Sequence, residues 1–252
     1  MTPQRWVFDL GNTRLKCAPL DADGGVGEVI ALAHGAPGMA ALAARLPARI
    51  DVAYLASVAD DGVRLALIEW LASRCRRIAI ARTQGRWDDL RIAYADPARL
   101  GVDRFLSMVA ARAHAKHSGA NAPVLVCGVG TALTLDLVDG QGRHLGGRIA
   151  PSPTLMRQAM HDKVSQLPEQ GGDYAEFAAN TADALASGCQ GAAVGLIERS
   201  LAHARSALGA APALYLHGGG GPELLAALPQ ARWMPRLVLE GLAQWAAMEA
   251  AA

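Results

Sequence analysis

Aromatic residues are scarce in this 252-residue chain, at 5%, yet hydrophobic residues reach 52%. That is enough for a sizeable core in one large domain or two of ordinary size, and the core must be built mainly from Ala, Leu and Val. Charge of one sign is also lacking. The net charge is +1 with both signs interspersed, which excludes the clustered basic excess of a nucleic-acid-binding protein. The one dense basic patch, Arg74, Arg76 and Arg77, reads as the solvated end of a helix. The four cysteines, Cys17, Cys75, Cys127 and Cys189, form no C-x-x-C pair, so neither a zinc knuckle nor a redox motif is expected. Inert thiols in a reducing compartment are expected instead. No apolar run reaches the roughly 18 residues of a membrane span. Asp9 interrupts the only N-terminal apolar run, so no signal peptide is expected, and the expected location is cytoplasmic. There is no G-x-x-x-x-G-K-[ST] loop and no G-x-S-x-G elbow, which excludes a P-loop enzyme and a serine hydrolase of that type. His114 and His117 stand three apart on one helix without a third ligand and read as surface histidines.

What is present is concentrated in short polar stretches that follow apolar strands. Asp9-Leu10-Gly11-Asn12-Thr13-Arg14-Leu15-Lys16 comes directly after Trp6-Val7-Phe8. It sets a carboxylate, a tight turn, a hydroxyl and an amine in one strand–turn–strand. These are the groups a nucleoside triphosphate requires. Asp9 would hold a metal-bound water, Asn12 and Thr13 would meet phosphate oxygens, and Lys16 would neutralise charge. Gly128-Val129-Gly130-Thr131-Ala132-Leu133-Thr134-Leu135-Asp136 repeats the theme. It is not a dinucleotide-binding loop, because a strand follows where that fold needs a helix. Gly130 and Thr131 are its expected phosphate contacts, and Thr134 and Asp136 share one strand face. Two such loops suggest two half-sites meeting on one nucleotide.

Gly101-Val102-Asp103-Arg104 stands at a loop-to-helix junction. Asp103 reads either as a helix cap or as a general base for a hydroxyl nucleophile, with Arg104 turned to an anionic substrate group. Gly146-Gly147 allows close backbone approach or a plain bend. Gly218 to Gly221 offers exposed backbone to a purine, or is a flexible loop.

Along the chain, strands are expected at 5–9, 14–19, 27–33, 52–58, 77–81 and 90–94, and helices at 37–46 and 61–74, with another opening at Asp103. The pattern restarts at Val124, with strands at 124–127, 132–138, 143–149 and 213–216. Helices are expected at 153–163, 179–208, 222–228 and 237–251. Each half opens with strand, phosphate-type loop and strand. The expected division is 1–119 and 120–252, at the polar stretch Lys116-His117-Ser118-Gly119.

Taken in order, these pieces resemble the type III pantothenate kinase family. The match comprises Asp9-x-Gly11-Asn12-Thr13-x-x-Lys16, Gly101-x-Asp103-Arg104, Gly130-Thr131-Ala132-x-Thr134-x-Asp136 and Gly146-Gly147-x-Ile149-x-Pro151. Thr181 with Gly188, Gly218-Gly219 and Leu237 to Leu242 follow in family order. The resemblance implies an α/β fold of two related actin-like (ribonuclease H-like) domains with ATP in the cleft between them. It also implies Mg²⁺, K⁺ or NH₄⁺, and a homodimer whose interface helps form the pantothenate site. By residue it implies Asp103 as catalytic base, Asp9 to Lys16 as the first phosphate motif with Asp9 at the metal, and Thr131 and Thr134 on the nucleotide. Tyr94, Gly101, Val102, Asp103, Arg104 and Thr181 would touch pantothenate. Three positions depart from the family pattern. Gly128 stands where many members carry an acidic residue that holds a monovalent cation, Ser152 where a glycine follows the proline, and His217 where a threonine precedes the glycine pair. The implied reaction is ATP-dependent phosphorylation of pantothenate. The alternatives are a non-enzymatic nucleotide-binding regulator and a sugar or carboxylate kinase of the same superfamily.

Overall fold

The computed structural model describes residues 4–118 and 121–249. Gly119 and Ala120, at the expected division, lie outside the described residues, as do Ala250 and Ala251 at the end of the last expected helix. The elements run β1 (Arg5–Leu10), β2 (Arg14–Leu20), β3 (Ile30–Ala33), α1 (Ala36–Arg45), β4 (Ile50–Ser57), α2 (Asp61–Ala72) and β5 (Cys75–Ile80). Two-residue strands β6 (Arg86–Trp87) and β7 (Leu90–Arg91) precede α3 (Val102–His117). Then come β8 (Val124–Val129), β9 (Ala132–Val138), β10 (His144–Pro151), α4 (Pro153–Lys163), α5 (Thr181–Leu208), β11 (Ala213–His217), β12 (Arg232–Trp233) and α6 (Leu237–Glu249).

The chain forms two compact units. The first comprises residues 1–88, 92–113 and 236–252, the second 89–91 and 114–235. Each holds one five-stranded sheet, in the order β3-β2-β1-β4-β5 and β10-β9-β8-β11-β12. The two orders are the same pattern used twice. In each, the first strand pairs antiparallel with the second through a tight hairpin and parallel with the fourth.

In the first unit, Trp6, Phe8, Leu10, Leu15, Cys17, Ala53 and Leu55 lie on one sheet face and form a core with Leu42, Leu67 and Leu71 of α1 and α2. Period-two alternation therefore sends Val7, Asp9, Lys16 and Tyr54 to the other face. That face is covered by α6, which packs on β1, β2 and β4 and sets Trp245 edge-on to Tyr54 at 6.3 Å. Order along the chain places 237–249 with the second half; in the structure this helix belongs with the first sheet. Gly241 of α6 lies against the backbone of α3, where an added Cβ would fall 1.9 Å from the Leu106 carbonyl oxygen.

In the second unit, Leu125, Cys127, Val129, Leu133, Leu135, Leu214 and Leu216 form an aliphatic face against α5. Helix α5 buries Ala186, Cys189, Ala193, Ile197, Ser200 and Ala204, spaced three and four apart as one helical stripe requires. The Asn180 side chain caps its start and Gly209 ends it in left-handed conformation. Ser152, one of the departures from the family pattern, is buried, and its hydroxyl caps α4 by accepting from the Leu155 N–H at 3.3 Å.

Some expected elements differ. Residues 222–228 make one 3-10 turn, Pro222–Leu224, followed by turns, because the pyrrolidine ring starts a helix that nothing then continues. The strand expected at 90–94 stops at Arg91. The Arg74 cluster is not one helix end. Arg74 lies over the Trp70 ring, Arg76 pairs with Asp51, and Arg77 pairs with Glu249. The cysteines are free, and burial pushes the thiols of Cys17 and Cys127 up to about 12. Among the described residues, no helix is long and apolar enough to cross a membrane.

The close approach at Gly241 yields a measurable expectation. Gly241→Ala should lower unfolding stability by about 1–3 kcal/mol, the usual cost of overpacking. Urea unfolding with an unchanged slope checks it.

Candidate active site

The first hairpin closes with the Gly11 N–H donating to the Arg14 carbonyl at 3.1 Å. Leu10 opposes Leu15 and Asp9 opposes Lys16. Leu10 and Leu15 are buried in the core, so only their backbone is available to a ligand. Asn12, Thr13 and Arg14 are exposed at the tip. Asp9 is half-buried on the opposite face, beside two charges that act on it. Desolvation is the largest influence and pushes its carboxyl up to about 7. The Lys16 ammonium pulls it down, and the Asp103 carboxylate pushes it up further. A residue of α3 is thereby brought to a residue of β1.

Asp103 is not the cap of α3. The Phe105 N–H donates to the Gly101 carbonyl at 3.1 Å, which makes Gly101 the capping position and leaves Asp103 in the first turn, where the helix dipole favours an anion. A Cβ at Gly101 would lie 2.6 Å from Asp103 Oδ1 and 3.8 Å from Val58. The glycine is what gives the carboxylate its room. Val102 is buried. Arg104, only 7% exposed, donates to the Tyr94 hydroxyl at 3.4 Å and lies 6.0 Å from the centre of that ring. Two of the expected pantothenate contacts are thus held together by one cation–aromatic pair.

In the second unit the β8–β9 hairpin closes with the Gly130 N–H donating to the Ala132 carbonyl at 2.9 Å. Gly130 and Thr131 are exposed at its tip. Thr134 lies opposite Gly128. The sheet face away from α5 carries Gly128, Thr134, Asp136, Tyr215 and His217. On it Asp136 Oδ1 is 3.0 Å from His144 Nε2, both buried. Gly218 and Gly220 fold onto the end of β8, with the Gly220 N–H donating to the Val129 carbonyl at 3.0 Å. Gly218 to Gly221 is therefore a fixed loop. Thr181 is exposed at the first turn of α5. A separate groove of about 410 Å³ runs along the same helix, lined by Tyr174, Phe177, Ser187, Gly188 and Gly191.

No cluster of three or more His, Cys, Asp or Glu among the described residues could hold a metal alone. Asp9 with Asp103 nearby fits an ion that brings water and phosphate as most of its ligands, the habit of Mg²⁺. Gly128 does not fit a monovalent cation held by a carboxylate, since it offers none. His217 also lies on this face; the sequence marked it only as a departure from the family pattern, a polar residue at a strand end before two glycines.

A duplicated sheet with a glycine-turn hairpin at the head of each copy defines an actin-like α/β fold. Solved structures remote in sequence share this architecture. One described as a Baf family transcriptional activator from Campylobacter jejuni is 17% identical, covers 98% of this chain and 100% of that one, and has a TM-score of 0.63. Another, described as a 2-dehydro-3-deoxygalactonokinase from Sinorhizobium meliloti, is 17% identical, covers 95% and 97%, and has a TM-score of 0.57. The type III pantothenate kinase family model matches residues 6–203. A type III pantothenate kinase of Stenotrophomonas maltophilia strain K279a is 52% identical over 241 residues, 96% of either chain. The chain belongs to the type III pantothenate kinase family.

The raised Asp9 carboxyl has a consequence for stability. The folded protein holds that proton more tightly than the unfolded chain, so its contribution is complete below about pH 4 and is lost as pH rises through about 7. Asp9→Asn should therefore match the wild type near pH 4 and exceed it near pH 8, by up to roughly 4 kcal/mol in the ligand-free protein. Thermal melts across this range check it; parallel curves would refute the assignment.

Proposed function

We propose that this protein phosphorylates pantothenate with ATP. Family membership over nearly the whole chain supports it. The observation that carries the chemistry is Asp103, a carboxylate in the first turn of α3 with room made by Gly101 and with Asp9 close enough to act on its charge. The acceptor is a primary alcohol, a poor nucleophile. Asp103 takes its proton as the oxygen attacks the terminal phosphorus, a contribution of typically 10²–10⁴-fold. Asn12, Thr13, Lys16, Gly130, Thr131 and Thr134 bind the triphosphate, and their fixed donors stabilise the charge of the transferring group. Mg²⁺ would neutralise charge on the phosphates, and Asp9 is the residue that would hold it. Arg104, oriented by Tyr94, meets the pantothenate carboxylate, and Thr181 is a further contact. No K⁺ or NH₄⁺ step is assigned, because Gly128 supplies no carboxylate. The reaction is placed in the cytoplasm, in keeping with four free thiols, three of them buried.

The working form is assigned as a homodimer. Ile149, Met160, Val164, Tyr174 and the fully exposed Phe177 leave the second unit with an uncovered apolar surface, which a partner copy would bury.

Asp103→Asn should reduce kcat by at least about a hundredfold with an unchanged melting temperature. An ADP-coupled assay with pantothenate, and with sugars and short carboxylates as rival acceptors, measures both the loss and the substrate. Near wild-type turnover would refute the base. Light scattering should report twice 26.3 kDa, and Phe177→Asp should shift the protein towards the single-chain mass.

A further inference from the structure

The duplicated sheets allow the two hairpins to be compared position by position. In the first, the next-to-last residue of the inner strand is Asp9, flanked by Lys16 on β2 and Ala56 on β4. In the second, the same place is Gly128, flanked by Thr134 on β9 and His217 on β11. A carboxylate paired with an ammonium in one copy is replaced in the other by no side chain, a hydroxyl and an imidazole.

The space over Gly128 is filled. A Cβ there would lie 2.8 Å from Thr134 Oγ1, 3.0 Å from His217 Nε2 and 3.1 Å from His217 Cε1. A side chain at 128 would crowd the ring, so glycine lets it lie close to this backbone. The segment after the ring is also fixed. Gly218 has φ +95° and touches the Val129 backbone, and Gly220 is hydrogen-bonded to Val129. Val129 leads directly into the exposed Gly130–Thr131 tip. His217 and Thr134 thus converge on one point, two residues from the phosphate-type turn and on the polar face of the sheet.

We propose that His217 is a nucleotide-phosphate ligand: its ring N–H donates to a phosphate oxygen at the second hairpin, beside the Thr134 hydroxyl, where a carboxylate-held monovalent cation would otherwise act. The inference rests on the nucleotide-binding reading above. An imidazole offers one N–H donor when neutral and two when protonated, and a glycine at 128 removes the negative charge that a cation would have to offset.

Calorimetric titration of the full chain with MgADP and with adenosine tests this separately from catalysis. His217→Ala should weaken MgADP binding by about tenfold or more, the worth of a hydrogen bond to a charged group, and leave adenosine within twofold. His217→Gln should recover part of the loss. Gly128→Ala, which keeps His217 but puts a methyl group tight against the ring and the Thr134 hydroxyl, should weaken MgADP in the same direction. Wild-type turnover should persist in buffer free of K⁺ and NH₄⁺. The proposal is overturned if His217→Ala binds MgADP within twofold of wild type, if ADP and adenosine weaken equally, or if turnover vanishes without K⁺ and NH₄⁺. A wild-type chain that binds no nucleotide overturns both this inference and the reading beneath it. One that binds MgADP in the pattern described yet phosphorylates nothing overturns the kinase reading alone.

Discussion

A carboxylate fixed at the end of a strand that is paired along both edges is the constraint on which the first unit's chemistry depends. Strand β1 lies between β2 and β4, so Asp9 has little freedom to move away from its neighbours. Helix α6 packs on the same face of the sheet, and burial raises the carboxyl. Lys16 opposes it across the hairpin, and the charge of Asp103 reaches it from α3. Asp9 thus feels an ammonium from one neighbour and a carboxylate from another while it is held out of water, the balance that sets its proton affinity.

The second unit uses the same strand order without that carboxylate and ammonium at the corresponding positions. Its hairpin turns more tightly, its inner strand has a glycine where the first has the acid, and its polar donors are a hydroxyl and an imidazole. The duplication therefore repeats the backbone and changes the charge: Asp9, Lys16 and Ala56 in one copy stand where Gly128, Thr134 and His217 stand in the other, with no change in topology.

Both hairpins were legible from the sequence because their turns are marked by Gly11-Asn12 and Gly130-Thr131 immediately after apolar strands, a signal that depends only on local backbone preference. The α/β class and the major helices followed from periodicity in the same way. Helix α6 was legible as a helix but not in its placement. Its Ala- and Leu-rich surface is compatible with either sheet, and only the fit of Gly241 against Leu106 and of Trp245 against Tyr54 decides. The stretch after Pro222 read as a helix because its residues favour one, yet the chain turns there to reach β12. Asp103 was ambiguous between cap and base, since both roles use a carboxylate at a helix start; the Phe105 N–H to Gly101 carbonyl bond, which sequence cannot show, removes the cap reading. The position of His217 over Gly128 was hidden for a similar reason, because the parallel register of β8 and β11 joins residues almost ninety positions apart.

The membership of α6 in the first unit also orders events during synthesis. Residues 114–235 are complete, and all but three residues of the second unit lie in that span, before the ribosome has made Trp245. The amino-terminal sheet must wait with Tyr54 lacking its Trp245 neighbour until the last stretch of polypeptide emerges. The half that is translated first is thus the half that matures last.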